Sequence, residues 1–265
     1  MAQVITKITT QKRKGRYNIF INDKYAFPVS ENTLIQFQLA KGLELSDADI
    51  EQIQAGEVVA QANSLALNYL SFQPRTVAEL RKHLLEGEIP ESVIPQVIQR
   101  LTELNYLDDA QYARQYIEER LRLGDKGPTV LRQKLRQKGI RDDLVQAAFD
   151  EIDPKAWIEL GQTVAEKLQT KQHHRAHHDA VRRVQQGLMQ KGFSSDDIAK
   201  IMADLPWEDT ADEEQAELER QAEKQWRQKR QYQGYERRSK VKQALYRKGF
   251  DLDAIDQVLT RLEQE

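Results

Sequence analysis

Hydrophobic residues follow two different spacings along this chain. Near the N-terminus they alternate with polar residues, as in RYNIFIN at 16–22, and the segment is rich in β-branched and aromatic residues. Such alternation is typical of a strand with one buried face. The turn-forming triplet NDK at 22–24 follows, before a second apolar segment. Residues 1–30 therefore predict a small β-meander of two or three strands.

Helix signals begin directly after this segment. Ser30 is placed to cap a helix of about ten residues, with Gly42 behind it as the glycine that ends the helix. Ser46 is placed to start another short helix. From Glu57 onward the apolar residues follow a helical period, interrupted by proline and glycine.

A six-residue motif recurs in this helical part. LRQKGI at 135–140 returns as LMQKGF at 188–193 and as LYRKGF at 245–250. With the leading leucines aligned, apolar residues coincide four positions before and five, ten and fourteen positions after. A degenerate fourth copy begins at Leu84, with Glu88 at the glycine position, so that the copies are 51, 53 and 57 residues apart. Such a period indicates a repeated supersecondary unit.

Each copy can be interpreted as part of a three-helix unit. The leucine and the residue four before it share a helix face, the glycine ends that helix in a left-handed conformation, and the next apolar residue closes the turn. Acidic and capping residues then start a following helix, and another helical segment precedes each copy. The sequence predicts a mainly α-helical, elongated tandem array of about four three-helix repeats behind a β-containing N-terminal region. The predicted divisions are 1–56, 57–105, 106–153, 154–207 and 208–265.

Composition narrows the class of protein. The 265 residues include no cysteine, which excludes disulfides, thiolate nucleophiles and cysteine-based zinc sites. The N-terminus has no apolar signal region and no 18 apolar residues run together, so we expect a cytoplasmic protein. There is no glycine-rich phosphate loop, nucleophile elbow or HExxH motif. We therefore expect no enzyme and no cofactor.

Two clusters of polar residues could carry chemistry. Asp108 and Asp109 could act as an acid–base pair, but they precede a helix, and capping is the favoured interpretation. HHRAHH at 173–178 contains two pairs of histidines four residues apart, a spacing that can hold zinc. A third ligand is lacking nearby, and we expect a solvated or partner-facing helix there, not a metal site.

Basic residues concentrate around the repeated motif. They could be solvated helix faces, or they could form an electrostatic track for a polyanion or an acidic protein groove. On the second interpretation they are candidate contacts to a partner or to DNA. These candidates are Arg132, Lys134, Arg136, Lys138, Arg141, Arg182, Arg183, Lys191, Arg238, Lys240, Lys242, Arg247 and Lys248.

The order of motifs resembles one known family. YLDDAQYARQYIEERL at 106–121, GP at 127–128 and LRQKLRQKGI at 131–140 are similar to the RecX regulatory family, in its long form with an N-terminal extension. The family usually has glycine where this chain has Asn105, a residue that also tolerates the left-handed conformation. A second departure is Gly87, one residue early in the first copy, which puts that turn in doubt.

The resemblance implies a regulator of recombination, DNA repair and the SOS response. Members bind the RecA recombinase, lodge in the groove of the RecA–DNA filament and limit its growth. They thereby reduce the ATPase, strand-exchange and co-protease activities of RecA, and some also bind DNA. The family supplies no catalytic residues, and we expect a monomer. A stand-alone DNA-binding protein with helix-turn-helix-like units and a helical scaffold for another protein remain as alternatives.

Overall fold

The fold is described from a computed structural model, which covers residues 3–172, 175–207 and 211–264. The chain forms two compact bodies. Body 1 contains the residues up to Ala113 together with Leu135–Val145. Body 2 contains Arg114–Lys134 and the residues from Gln146 onward.

The N-terminal region of body 1 is a small antiparallel sheet. Its strands occur in the order β3-β2-β1-β4, and the meander formed by the first three confirms the prediction. Asn22 and Asp23 form the two-residue turn between β2 and β3, with φ of 48° and 64°. The two-residue β4 was not predicted. The strands are β1 (Gln3–Thr10), β2 (Arg16–Ile21), β3 (Lys24–Ser30) and β4 (Glu44–Leu45).

The described residues contain thirteen helices: one follows the sheet, and the others form four consecutive sets of three. None of these helices is both long and apolar enough to cross a membrane. They are α1 (Glu31–Gln36), α2 (Asp47–Phe72), α3 (Val77–Glu86), α4 (Ile94–Glu103), α5 (Asp109–Leu123), α6 (Pro128–Gln137), α7 (Asp142–Asp150), α8 (Pro154–Gln169), α9 (His177–Lys191), α10 (Ser195–Asp204), α11 (Ala211–Gln228), α12 (Gly234–Tyr246) and α13 (Leu252–Gln264). The sets α2–α4, α5–α7, α8–α10 and α11–α13 are called repeats 1 to 4. A mainly α-helical chain of three-helix repeats behind a small sheet is thus confirmed.

The first two helices differ in length from the prediction. Ser30 caps α1 as expected, but α1 has only six residues, because the chain turns at Gln38 (φ 50°) before it reaches Gly42. The amide of Gly42 instead donates to the carbonyl of Ile5, at 2.8 Å. Ser46 caps α2 in a capping box, yet α2 continues for 26 residues and is not short. The predicted division between residues 56 and 57 therefore falls inside one helix.

The aligned positions of the repeats form the hydrophobic interior. The leading leucines are fully buried in all four copies: Leu84, Leu135, Leu188 and Leu245. At the other aligned positions every residue is buried except Ile98 and Met202, which are half-buried. The helical period of the motif thus marks the buried faces as the sequence predicts.

Left-handed residues end the second helix of every repeat. The glycines of the motif have φ of 78° at Gly139, 95° at Gly192 and 92° at Gly249. In repeat 1 the same position is held by Glu88, with φ of 61°. Asn105 also adopts the left-handed conformation expected of it, with φ of 58°. Both departures from the family pattern therefore leave the turns intact.

Glu88→Gly is expected to raise the free energy of unfolding by about 0.5–1 kcal/mol. A non-glycine residue in the left-handed region destabilises the folded chain by about 1–2 kcal/mol, and glycine removes this cost. Glycine also increases the conformational entropy of the unfolded chain, which offsets part of the stabilisation. Urea unfolding followed by circular dichroism measures the change. The control Glu86→Gly, in the last turn of α3, should destabilise the chain. If Glu88→Gly had unchanged or lower stability, the left-handed conformation of Glu88 would not destabilise the folded chain.

Both aspartates at the start of α5 are capping residues, but only Asp108 caps the helix that it precedes. Asp108 Oδ1 accepts from the amide of Gln111, at 2.8 Å, within its own helix start. Asp109 Oδ1 accepts from the amide of Val77, at 2.9 Å, and so caps α3 instead. Burial raises the pKa of Asp109, although the Val77 amide opposes this change.

Candidate functional site

The end of each repeated motif meets the start of the second helix of the preceding repeat. In all three cases the carbonyl of the lysine before the glycine accepts a hydrogen bond across this joint. Free carbonyls at a helix C-terminus and free donors at a helix N-terminus thus satisfy each other, and opposite dipole ends meet. The three joints are Thr76 Oγ1 to Lys138 at 2.7 Å within body 1, and Gly127 N to Lys191 at 2.8 Å and Ala176 N to Lys248 at 3.1 Å within body 2.

The glycines of the motif are required by this contact as well as by their φ. A Cβ on Gly139 would lie 2.2 Å from the Cβ of Ala78. A Cβ on Gly192 would lie 2.8 Å from the backbone nitrogen of Val130. A Cβ on Gly249 would lie 2.5 Å from the Cβ of Asp179. The motif therefore marks three copies of one joint between repeats.

Most of the predicted basic contacts already have partners within the chain. Eight of the thirteen are ion-paired with carboxylates, which favours the interpretation as solvated helix faces, except for Arg182 and Arg183, which share one carboxylate with a third arginine. The pairs are Arg136–Asp142, Lys138–Glu79, Arg141–Asp143, Arg182–Asp179, Arg183–Asp179, Arg238–Asp256, Lys240–Glu236 and Lys242–Asp256.

The other five candidates have different surroundings. Arg132 lies over the ring of Phe149, with its guanidinium carbon 3.9 Å from the ring centroid. Lys134 is exposed. Lys191 is half-buried and Arg247 is exposed, and neither has an ion-pair partner within the part of the chain that the structure describes. Lys248 donates to the side-chain oxygen of Gln221.

A buried aspartate gathers three arginines at the joint between repeats 3 and 4. Asp179 is 3% exposed. Its carboxylate accepts from Arg175 at 2.9 Å and from Arg183 at 2.8 Å, and also from Arg182. Burial by itself would raise the pKa of Asp179, but the hydrogen bonds from Arg183, Arg182 and Arg175 lower it to about 2. One carboxylate thus faces three guanidinium groups.

The positive charge at this joint exceeds the negative charge. Arg175 also donates to the carbonyl of Arg247, at 3.2 Å, which places it at the end of the next repeat's motif. The pKa of Lys248 is lowered first by burial and then by the neighbouring Lys224 and Arg175, against the opposing effect of Glu217. We call this group the joint cluster: Arg175, Asp179, Arg182, Arg183, Lys224, Arg247 and Lys248. Its field favours an anion.

Only part of the joint cluster could be predicted from the sequence. Arg182, Arg183, Arg247 and Lys248 are among the predicted basic contacts, and the structure brings all four to one joint. Arg175, which lies inside the histidine run, is not among them. The spacing of Arg175 and Asp179, four residues apart, is the signal that could have found the pair.

The structure describes the histidine run only in part. His173 and His174 lie outside the described residues. His177 packs edge-on against Trp207, with 5.2 Å between ring centroids. No group of three or more metal-ligating side chains occurs among the residues with a described position.

Comparison with known proteins gives one consistent result. The model of the RecX N-terminal domain matches residues 3–46, and the models of the first, second and third RecX three-helix domains match 62–101, 108–148 and 212–259. The third family domain thus corresponds to repeat 4 of this chain.

Whole-length relatives and solved structures agree with these matches. Regulatory protein RecX of Lacticaseibacillus casei is 44% identical over 98% of both chains, and that of Limosilactobacillus reuteri is 43% identical over 95% of both. A crystal structure of regulatory protein RecX superimposes with a TM-score of 0.66 and 40% identity, over 76% of this chain and all of the other. RecX from Lactobacillus salivarius gives 0.55 and 34%, over 57% of this chain and 97% of the other. The chain therefore belongs to the RecX family of regulatory proteins.

Proposed function

We propose that this chain binds the filament of the RecA recombinase on DNA and limits its extension, and with it the ATPase, strand-exchange and co-protease activities. The observation that carries the proposal is membership of the RecX family over nearly the whole chain, at 44% identity to a curated relative. The repeated joint adds physical support. A chain built from similar units offers similar surfaces several times, and binding to a repetitive partner gains from multivalency.

The joint cluster is our proposed contact to the filament. Three arginines on one carboxylate leave net positive charge beside the exposed Arg247. Arginine forms paired hydrogen bonds with carboxylates and phosphates, so either acidic side chains of the protein or the DNA backbone can occupy this field. Arg132 and Lys242 are less suitable contacts, because they already join helices within their repeats through Gln146 and Asp256.

The test is assembly of the RecA filament on single-stranded DNA with increasing amounts of the purified chain. The wild-type protein should slow extension and reduce the DNA-dependent ATPase. The variant Arg182→Ala/Arg247→Glu should require at least about ten times more protein for the same inhibition, because it loses two of the cations of the joint cluster. Asp179 retains Arg175 and Arg183 in this variant, which preserves the fold.

A matched control changes net charge equally at a distance along the chain. Lys155→Ala/Lys200→Glu alters two exposed lysines of body 2 and should inhibit like the wild type. Equal inhibition by both variants would refute the joint cluster as the contact. No effect of the wild type on nucleation, extension or disassembly would refute the function. Equal affinity for bare and RecA-coated DNA would favour a stand-alone DNA-binding protein.

A further inference from the structure

Two β-bulges bring three side chains into one row across the N-terminal sheet. The register between β1 and β2 shifts between Ile5 and Lys7, and the register between β2 and β3 shifts between Ile19 and Phe20. As a result Lys7 and Tyr25 both pair with Phe20. Bulges redirect side chains between the two faces of a sheet. Without them, simple alternation would place Tyr25 on the same face as the buried Phe27.

The row lies on the face of the sheet opposite its core. The core face carries the buried residues Ile5, Ile19, Ile21, Phe27 and Val29. On the other face the rings of Phe20 and Tyr25 meet edge-on, with 5.9 Å between centroids, and Lys7 Nζ lies 5.8 Å from the Phe20 centroid. Tyr25 is 57% exposed, so its ring presents apolar surface to solvent in an orientation that Phe20 supports.

Polar side chains continue this face toward the β1–β2 loop. Thr9 pairs with Asn18, two residues along β2 from Phe20. Asn18 Oδ1 accepts from Gln11 Nε2, at 2.7 Å. These side-chain amides offer both donors and acceptors between the aromatic pair and the loop.

The β1–β2 loop itself carries three consecutive cations. Lys12, Arg13 and Lys14 are all exposed, and none has an ion-pair partner among the described residues. The carboxylate of Glu31 lies against Gly15 at the base of the loop: its Oε2 is 3.7 Å from where a Cβ on that glycine would be. Most of the predicted basic residues of the repeats are ion-paired, whereas none of these three consecutive cations is paired with a described carboxylate.

The loop is held by a buried carboxylate below it. Arg16 donates to Glu57 Oε1, at 2.5 Å, and Glu57 is 8% exposed. The other oxygen of Glu57 accepts from the amide of Ser30 and the hydroxyl of Thr33, at 2.6 and 2.7 Å. This network ties β2, β3, α1 and α2 together. The cations are thus presented from a fixed base, which lowers the entropic cost of binding.

We infer that this face of the sheet, from Tyr25 to the Lys12–Lys14 loop, binds single-stranded nucleic acid. Single-strand binders combine cations that follow the phosphates with exposed aromatic rings on which bases stack. Here the loop supplies the cations and Tyr25 supplies the ring. Paired bases in a duplex do not offer their faces to such a ring, so single strands are preferred.

The spacing fits a ligand of several nucleotides. Phe20 lies six positions after Lys14 along the chain, which is at most roughly 20 Å at about 3.3 Å per residue. A ligand therefore has to bridge the phosphate contacts and the stacking site. The contact needs no RecA, and it lies on a different element from the joint cluster.

Fluorescence anisotropy of a labelled oligothymidylate of about 12 nucleotides, with the full chain alone and across a salt series, tests the inference. Lys12→Ala/Arg13→Ala/Lys14→Ala should reduce the slope of log K against log salt by about 2, because each single-strand phosphate contact contributes about 0.7. Tyr25→Ala should weaken binding about tenfold and leave the slope unchanged, and Tyr25→Phe should retain the affinity.

The matched control Lys155→Ala/Lys167→Ala/Lys200→Ala removes the same charge from exposed sites of α8 and α10 and should bind like the wild type. Circular dichroism checks that all variants are folded. A wild-type slope in the loop variant would overturn the phosphate contact. Equal or tighter binding of a duplex of the same length, or full affinity of Tyr25→Ala, would overturn the stacking contact. No binding by the wild type at about 0.1 mM would overturn both.

Discussion

Gly192→Ala is expected to lower the stability of body 2 by about 3 kcal/mol. The left-handed φ of 95° costs an alanine about 1–2 kcal/mol. The added Cβ would also lie 2.8 Å from the backbone nitrogen of Val130, and overpacking of this kind costs about 1–3 kcal/mol. If the backbone moved to relieve this overpacking, it would lengthen the hydrogen bond from Thr129 N to Gly192 O, which is 3.0 Å long. The conformational cost and the packing cost therefore add.

Tryptophan fluorescence during urea unfolding measures this loss in body 2. The three tryptophans of the chain are Trp157, Trp207 and Trp226, and all belong to body 2. The control is Gly234→Ala in the same body. Gly234 also has a positive φ, of 50°, but nothing lies within 4 Å of the position of an added Cβ.

The comparison separates conformational strain from the contact between repeats. Gly234→Ala should cost only the conformational part, about 1 kcal/mol. If the two variants lost equal stability, the joint would not constrain Gly192 and its role would be that of an ordinary helix cap. A loss at Gly192 near 3 kcal/mol would show that the glycine of the motif is required by the neighbouring repeat.

The repeats could be predicted because burial restricts which residue types can occupy a position. Leu84, Leu135, Leu188 and Leu245 are fully buried, and a helix face that must be buried admits few residues, so the copies align. The glycine position is equally restricted by its conformation. Glu88 shows the limit of that restriction, since it adopts a φ of 61° at this position.

The lengths of the first helices could not be predicted, because their ends depend on tertiary contacts. The predicted division after residue 56 lies inside α2, which passes through Gly56. An added Cβ at Gly56 would lie 2.6 Å from the ring of Phe37, so this glycine permits a close approach and does not end a helix. The two-residue β4 has too few residues to form a pattern.

The candidate site could be predicted only in part, for a similar reason. Charge clusters are visible in a sequence, but the partner of each charge is set by the fold. Lys138 lies next to Glu79, 59 residues away along the chain, and Lys242 lies next to Asp256. The joints are formed largely by backbone groups, such as the carbonyl of Lys191, which every residue type possesses. Of each joint, only the glycine that permits the close approach of the neighbouring repeat can be recognised in the sequence.

Asp179→Asn is expected to destabilise body 2 by about 2–3 kcal/mol at neutral pH. The substitution leaves Arg175, Arg182 and Arg183 near one another at the joint without their shared carboxylate. Removal of one partner from a buried ion pair is costly because the remaining charges keep their desolvation penalty. Here all three arginines retain some exposure, which places the loss below that of a fully buried pair.

The pH dependence of this effect has a definite sign. The folded-state pKa of Asp179, about 2, is below its ordinary value of 3.8. The ionised carboxylate therefore stabilises the folded chain above pH 3.8, and this contribution, about 2 kcal/mol, is lost as the pH falls toward 2. The stability difference between wild type and Asp179→Asn should shrink across that interval.

Urea unfolding at several pH values between about 5 and 2, followed by tryptophan fluorescence, measures the difference. The control Asp196→Asn alters an exposed aspartate of α10 in the same body, and its difference from wild type should remain small at each pH. A constant difference between wild type and Asp179→Asn over this interval would mean that the carboxylate has its ordinary pKa in the folded chain. The charge of Asp179 would then not stabilise the three arginines at the joint between repeats 3 and 4.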